Sequence, residues 1–184
     1  MKDSDFSAAL QSLGSRLAAN QIERQAYYGE LVRLLHQRFR PSRVNVWQLE
    51  PHRRGEEKLL ACVAEFSPDP DASLRRDTLT EAEFRLYLEV LSRGGVYISN
   101  DTLSDPALAS MRASYLVPSN VLALMDAAIA INGMVVGVIC CEQIGHTREW
   151  RQREVTALRR SIATVNVHLA RLQAEDSRGG GLPS

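Results

Sequence analysis

The chain has 184 residues, 45% of them hydrophobic, and its 22 basic residues are balanced by 22 acidic ones. That length and apolar content suit one domain with one substantial core, and a net charge of zero leaves no overall field to concentrate a nucleic acid or an anionic membrane surface. The opening MKDSDFSAALQSLG lacks a signal peptide's apolar core, and no run approaches the roughly 20 apolar residues of a membrane span, so a soluble cytoplasmic location is expected.

Residues 5–39 favour helix, with Phe6, Leu10, Leu13 and Leu17 on one face and Gly14 and Asn20 as expected interruptions. A second helical run carries Ile22, Tyr27, Leu31, Leu34 and Leu35 and stops before Pro41. Residues 43–49 (RVNVWQL) and 58–66 are rich in β-formers and read as an antiparallel pair around the charged turn PHRRGEE. SPDPDAS reads as loop. Thr80 and Glu83 have capping-box spacing ahead of a helix bearing Phe84, Leu86, Tyr87, Val90 and Leu91, which Gly94 and Gly95 end.

A short strand over residues 96–99 leads into a connection expected to hold one helix over residues 106–115. Next come VLALMDAAIAI, Asn132-Gly133 and MVVGVICCE, the pattern of a type I′ hairpin, since both turn residues must accept positive φ. These strands are apolar on both faces and so belong at the centre of a sheet covered on both sides. Gly137 within them marks either a close backbone approach or small-residue packing. From Trp150 to about Ala174 a final helix carries Val155, Leu158, Ile162, Val165, Leu169 and Leu172 as a heptad seam, followed by the tail DSRGGGLPS. A seam longer than one small sheet can cover predicts a homodimer through the terminal helices.

Three cysteines (Cys62, Cys140, Cys141) and four scattered histidines give neither a C-x-x-C pair nor metal-ligand spacing, so no metal and no cofactor is expected. There is no G-x-S-x-G elbow, no phosphate-binding loop and no dinucleotide fingerprint, which leaves the chain without a recognisable catalytic motif, and no enzymatic activity is expected.

The run LMDAAIAINGMVVGVICCEQIGHTREW resembles the C-terminal half of a GAF domain: an aspartate early in one strand, a Gly-containing turn, a G-V-x-C strand and a tryptophan opening the last helix. Asp105-Pro106 and Tyr115-Leu116 stand where that family's pocket-covering segment carries such residues, and Ala128 departs from the proline of many relatives. The resemblance implies an α+β fold, a central antiparallel sheet of about six strands with terminal helices on one face and a pocket under a crossover on the other. It divides the chain into an N-terminal helical segment (1–30), a sensory domain (31–172) and a tail or linker (173–184).

The implied role is signal input: binding of a small molecule, coupled through a helical dimer to a histidine kinase, diguanylate cyclase or transcription output. The alternatives are a structural dimerisation module with a degenerate pocket and a thiol-dependent methionine sulfoxide reductase. Residues 105–117 contain no cysteine, so a covalently attached bilin is not expected. Candidate ligand contacts are Trp47, Tyr97, Asp105, Met111, Tyr115, Met125 and Asp126. Asp101 and Asp105 are most simply turn and helix-cap residues, whose short carboxylates satisfy free backbone N–H groups. Asp126 stands out because a carboxylate inside an apolar strand needs a partner, for which Arg112 is a candidate, or a polar cavity.

Overall fold

The computed structural model describes residues 2–50, 57–74 and 76–179, with residues 175–179 as backbone alone. Helix α1 (Asp3–Ala18) buries Phe6, Leu10, Leu13 and Leu17, the stripe read from the sequence. Gly14 does not interrupt it. The ring of His168 occupies the space a side chain would need, since a Cβ at Gly14 would lie 2.1 Å from its Nε2. The chain turns instead at Asn20, in the left-handed region at φ 53°, and resumes as α2 (Arg24–Phe39). Arg40 caps α2 in a left-handed conformation just ahead of Pro41.

Strands β1 (Arg43–Leu49) and β2 (Leu59–Phe66) pair antiparallel as expected, while most of the charged turn between them (residues 51–56) lies outside the described residues. After a short 3₁₀ turn (Pro70–Ala72), strand β3 (Thr78–Thr80) adds to β2; it is too short to show period-2 patterning and was not foreseen. Thr80 and Glu83 form the anticipated capping box of α3 (Glu81–Gly94), and Gly95 closes that helix at φ 69°. Strand β4 (Val96–Ser99), β5 (Val121–Ile131) and β6 (Met134–Ile144) complete a six-stranded sheet in the order β3-β2-β1-β6-β5-β4, every neighbouring pair antiparallel. Asn132 (φ 52°) and Gly133 (φ 77°) make the β5–β6 turn with both residues at positive φ, as a type I′ hairpin requires.

Alternation along the strands divides the core into two layers. On one face Val44, Val46, Met125, Ala127, Ile129, Ile139 and Cys141 pack against α1, α2 and α4 (Gln152–Gly179). On the other, Trp47, Leu124, Val138 and Cys140 pack against α3 and residues 100–120, the cover segment. The helix expected over residues 106–115 is present, formed as a 3₁₀ and a π segment and not as an α-helix. Asp105 and Pro106 start a 3₁₀ helix (Pro106–Met111), and a single wide π turn (Arg112–Leu116) follows, burying both Tyr115 and Leu116.

Most of the α4 seam is covered within the chain. Val155, Leu158, Ile162, Val165 and Leu169 are buried, and α4 packs against α1 as well as β5. Burial of each contributes roughly 1.5–3 kcal/mol, and Leu172, the last residue of the seam, is half-buried. Helix α4 also runs past Ala174 into the stretch read as tail, and residues 180–184 lie outside the described residues.

The reason for Gly137 is close backbone approach. A Cβ there would lie 2.4 Å from the carbonyl oxygen of Trp47, whose neighbour Gln48 pairs with Gly137 across β1 and β6. Ala128, at the position where proline was the alternative, uses its amide to donate to Gly95 O at 3.0 Å. Gly137→Ala is expected to destabilise the domain by about 1–3 kcal/mol, the usual range for overpacking. Urea unfolding checks this, and an unchanged midpoint would contradict the close approach.

Candidate functional site

The face of the sheet under the cover carries two buried carboxylates, and each receives a hydrogen bond from a tyrosine of the covering elements. Glu142 on β6 is held by Arg43 and Asn45 of β1: Arg43 Nε and Asn45 Nδ2 donate to its Oε2 at 2.7 and 2.9 Å. Tyr115 of the π turn donates to its Oε1 at 2.6 Å. Arg43 further donates to Ala72 O at 2.8 Å, and Trp47 Nε1 donates to Asn45 Oδ1 at 2.7 Å. Burial, the largest single influence, would lower the Arg43 pKa, but the charge and hydrogen bond of Glu142 together with Tyr115 and Glu65 outweigh it and the net shift is upward. Trp47 and Tyr115 meet edge to face, with ring centroids 5.6 Å apart.

The second carboxylate is less well served. Asp126 on β5 is 1% exposed; Tyr87 of α3 donates to its Oδ2 at 2.6 Å, and among the described residues its Oδ1 has no hydrogen-bond partner within 3.5 Å for N and O donors or 4.0 Å for sulfur. Cys140 is its cross-strand neighbour on β6 and Tyr97 its neighbour on β4. Burial raises the Asp126 pKa well above the ordinary carboxylate value; the Tyr87 bond opposes that rise and the charge of Glu142 reinforces it. Glu142 has a guanidinium to balance its charge, whereas Asp126 is met by the Tyr87 phenol, the Cys140 thiol and the Cys141 backbone, none of them a cation, and so favours the neutral acid.

Of the candidate contacts, Trp47, Tyr97, Met111, Tyr115 and Asp126 come together on this face. Met125 does not: with Asp126 facing the cover, strand alternation turns Met125 to the opposite face, into the layer under the terminal helices. Asp105 sits at the rim, where its Oδ1 accepts from Ala107 N at 3.1 Å and caps the 3₁₀ helix, while its carboxylate helps raise the Tyr97 pKa behind burial. Asp101 accepts from Leu103 N at 3.1 Å, as a turn residue does. Arg112 is not the partner of Asp126. It reaches Asp105 O at 3.5 Å, and its Nε is buried without a partner.

Arg43, Asn45, Glu142 and Tyr87 were not singled out from the sequence. The available signal was Glu142, which interrupts the apolar run GVICC just as Asp126 interrupts its own strand. The cysteines do not cluster. Cys140 faces the cover and Cys141 the terminal helices, and burial raises all three thiols, Cys62 to about 12.

An antiparallel sheet with both chain ends packed as helices on one face and a buried polar site under a crossover on the other defines the architecture of a sensory α+β module. The family model described as GAF domain matches residues 23–169, and the chain belongs to that family. Among curated proteins none matches the sequence.

Solved structures share the fold. The blue-light-absorbing form of the Thermosynechococcus elongatus PixJ GAF domain is 21% identical, with 86% of this chain and 92% of that one covered at a TM-score of 0.72. The phycoerythrobilin-bound GAF domain of a cyanobacterial phytochrome is 14% identical, with 93% and 97% covered at 0.73. The chromophore-binding domain of the Stigmatella aurantiaca bacteriophytochrome is 18% identical, and this chain covers 61% of it at 0.67.

Two outcomes follow from the site. Arg43→Met leaves Glu142 buried without its cation and is expected to cost about 3–5 kcal/mol, with part recovered in the double variant Arg43→Met/Glu142→Leu. Asp126→Asn keeps an acceptor for Tyr87 without the charge. Because the folded state holds the Asp126 proton where the unfolded chain releases it, wild-type stability loses ground as pH rises above the ordinary carboxylate value. The melting temperature of Asp126→Asn is therefore expected to exceed that of the wild type by a margin that grows from about pH 4 upward, and a constant margin would contradict it.

Proposed function

We propose that the chain is a signal-input domain in which a small molecule bearing an N–H donor or a cationic group engages Asp126 beneath the cover segment. The observation that carries this reading is the buried, unpartnered Oδ1 of Asp126 on the same face as an aromatic cluster. Leaving a buried acceptor unmade costs about 1–3 kcal/mol, which a donor from a ligand would remove. Arg112 Nε and Ser119 Oγ on the cover are also buried without partners, which supports a cover that has a second, better satisfied arrangement.

Transmission to α4 has a covalently short path. Asn100, at the start of the cover, accepts from Trp150 N at 3.1 Å, and Arg159 of α4 donates to Gly94 O at the end of α3 at 2.8 Å. A ligand that binds an open cover better than a closed one would shift these contacts, and one that binds both equally would shift nothing. The output is a kinase, cyclase or transcription regulator reached through α4 in a homodimer formed by the terminal helices. The GAF domains that resemble this one in fold include bilin-binding ones, but the cover here offers no cysteine for attachment. The raised thiol pKa values weigh against thiolate chemistry and so against a reductase.

The second reading is a structural module whose site is filled by its own side chains, favoured by the edge-to-face packing of Tyr87 on Tyr97 at 5.4 Å and of Trp47 on Tyr115. Native mass spectrometry of the full chain purified without denaturation separates the two. The sensor reading expects a bound small molecule that is lost in Asp126→Asn while the fold persists. A wild type that carries none, or a variant that retains it at equal occupancy, overturns that reading.

A further inference from the structure

Helix α1 runs alongside α4 in the same direction. Its first half borders α4 at residues 157–164 around Phe6 and Leu10, and Gly14 reaches His168. The ring of His168, 8% exposed, sits in the gap that Gly14 leaves in α1. Its Nδ1 lies 3.0 Å from Tyr27 Oη of α2, with the two rings edge to face, so one imidazole joins all three helices on this side of the sheet. Otherwise α1 is held by Phe6, Leu10, Leu13 and Leu17 and by the ion pairs Arg16–Glu30 and Asp3–Arg38. Each pair has at least one exposed partner and contributes little.

This seat suits a neutral ring. Tyr27 is fully buried and its hydroxyl has no other partner among the described residues, so it donates and Nδ1 accepts. An imidazolium has no acceptor nitrogen, and its formation would leave the Tyr27 proton buried without a partner. Among the described residues the charged group facing the ring is Arg171 of α4, of the same sign as an imidazolium; α1 presents Gln11 and Ser15 there, and α2 presents Tyr27. The carbonyls of Ser15, Arg16 and Leu17 at the end of α1 are taken by the amides of Ala19, Gln21 and Asn20. Burial, with Arg171 adding to it, holds the His168 pKa below the ordinary histidine value. A cavity of 360 Å³ bordered by Gln11, His168 and Arg171 gives water and protons a way in. We propose that His168 is a pH-sensitive latch for α1, docked on α4 while the ring is neutral and released when the ring takes up a proton. The docked state binds that proton less readily than a free imidazole does, so docking is complete above about pH 6.5 and weakens as the pH falls below it. The latch does not depend on what binds Asp126, and release bares one side of the helix through which output is proposed to pass.

Hydrogen–deuterium exchange of the full chain at about pH 7.5 and about pH 5.5, corrected for the intrinsic pH dependence of amide exchange, tests this. Wild-type α1 is expected to lose protection at the lower pH, by no more than about tenfold per pH unit, the limit for one proton, while the β5–β6 hairpin keeps its own. His168→Gln retains an acceptor for Tyr27 and cannot titrate, so its α1 should be equally protected at both pH values. His36, half-buried near the end of α2 and also lowered by burial, stays in that variant and controls for histidine titration elsewhere. If the variant fails to dock α1, an NMR titration of the wild type decides: the His168 ring must titrate below the free-histidine value of about 6.5, and the α1 amides must follow the same midpoint. A loss of α1 protection that persists in His168→Gln, no loss in the wild type, an equal loss in the hairpin, or a His168 midpoint at or above the free value overturns the latch.

Discussion

The buried pair Arg43–Glu142 fixes the cover side of the molecule. Its two side chains are 1% and 2% exposed, and taking both from water is a cost of several kcal/mol per ion that only dense hydrogen bonding offsets. That density is present: β1, β6, the 3₁₀ turn after β2 and the π turn of the cover all contribute an atom to the pair. Because the partners come from four separate stretches of chain, the pair acts as a register for how the cover sits on the sheet. Charge placed this deep is a weak source of net stability and a strong source of uniqueness, since any arrangement that separates the pair leaves a bare ion.

Asp126 is the counterpart that lacks this compensation. Tyr87 and Tyr115 fasten the two halves of the cover side, α3 and the π turn, to the two carboxylates by bonds of 2.6 Å each. One fastener ends on a balanced ion pair and the other on an acid with a spare acceptor. The asymmetry divides the labour: the Glu142 end holds, and the Asp126 end has chemistry left to offer. On the far face of the sheet, Asn166 of α4 accepts from Ala130 N at 3.1 Å, so that α4 is tied to the central strand that carries Asp126.

Much of this was legible in the sequence, because hydrophobic periodicity and turn chemistry are local. The capping box at Thr80, the hairpin at Asn132-Gly133, the α4 seam and the family resemblance all rest on residues close together in the chain. What escaped was non-local. Gly14 looked like a helix breaker because the imidazole of His168, which requires the gap, is far away in sequence. Met125 and Asp126 could not both face the site, and only the register of β5 shows which does. Arg43 and Asn45 looked like ordinary strand residues until pairing with β6 placed Glu142 against them. The α4 seam looked uncovered for the same reason, since α1, at the other end of the chain, packs against α4.

The central claim is that tyrosine–carboxylate bonds hold the cover to the sheet, and hydrogen–deuterium exchange of Tyr115→Phe against wild type tests it most directly. The account predicts faster amide exchange confined to the cover, about residues 112–120, while α1, α2 and the β5–β6 hairpin keep wild-type protection. Unchanged exchange in the cover, or a uniform rise across the whole chain, would contradict it.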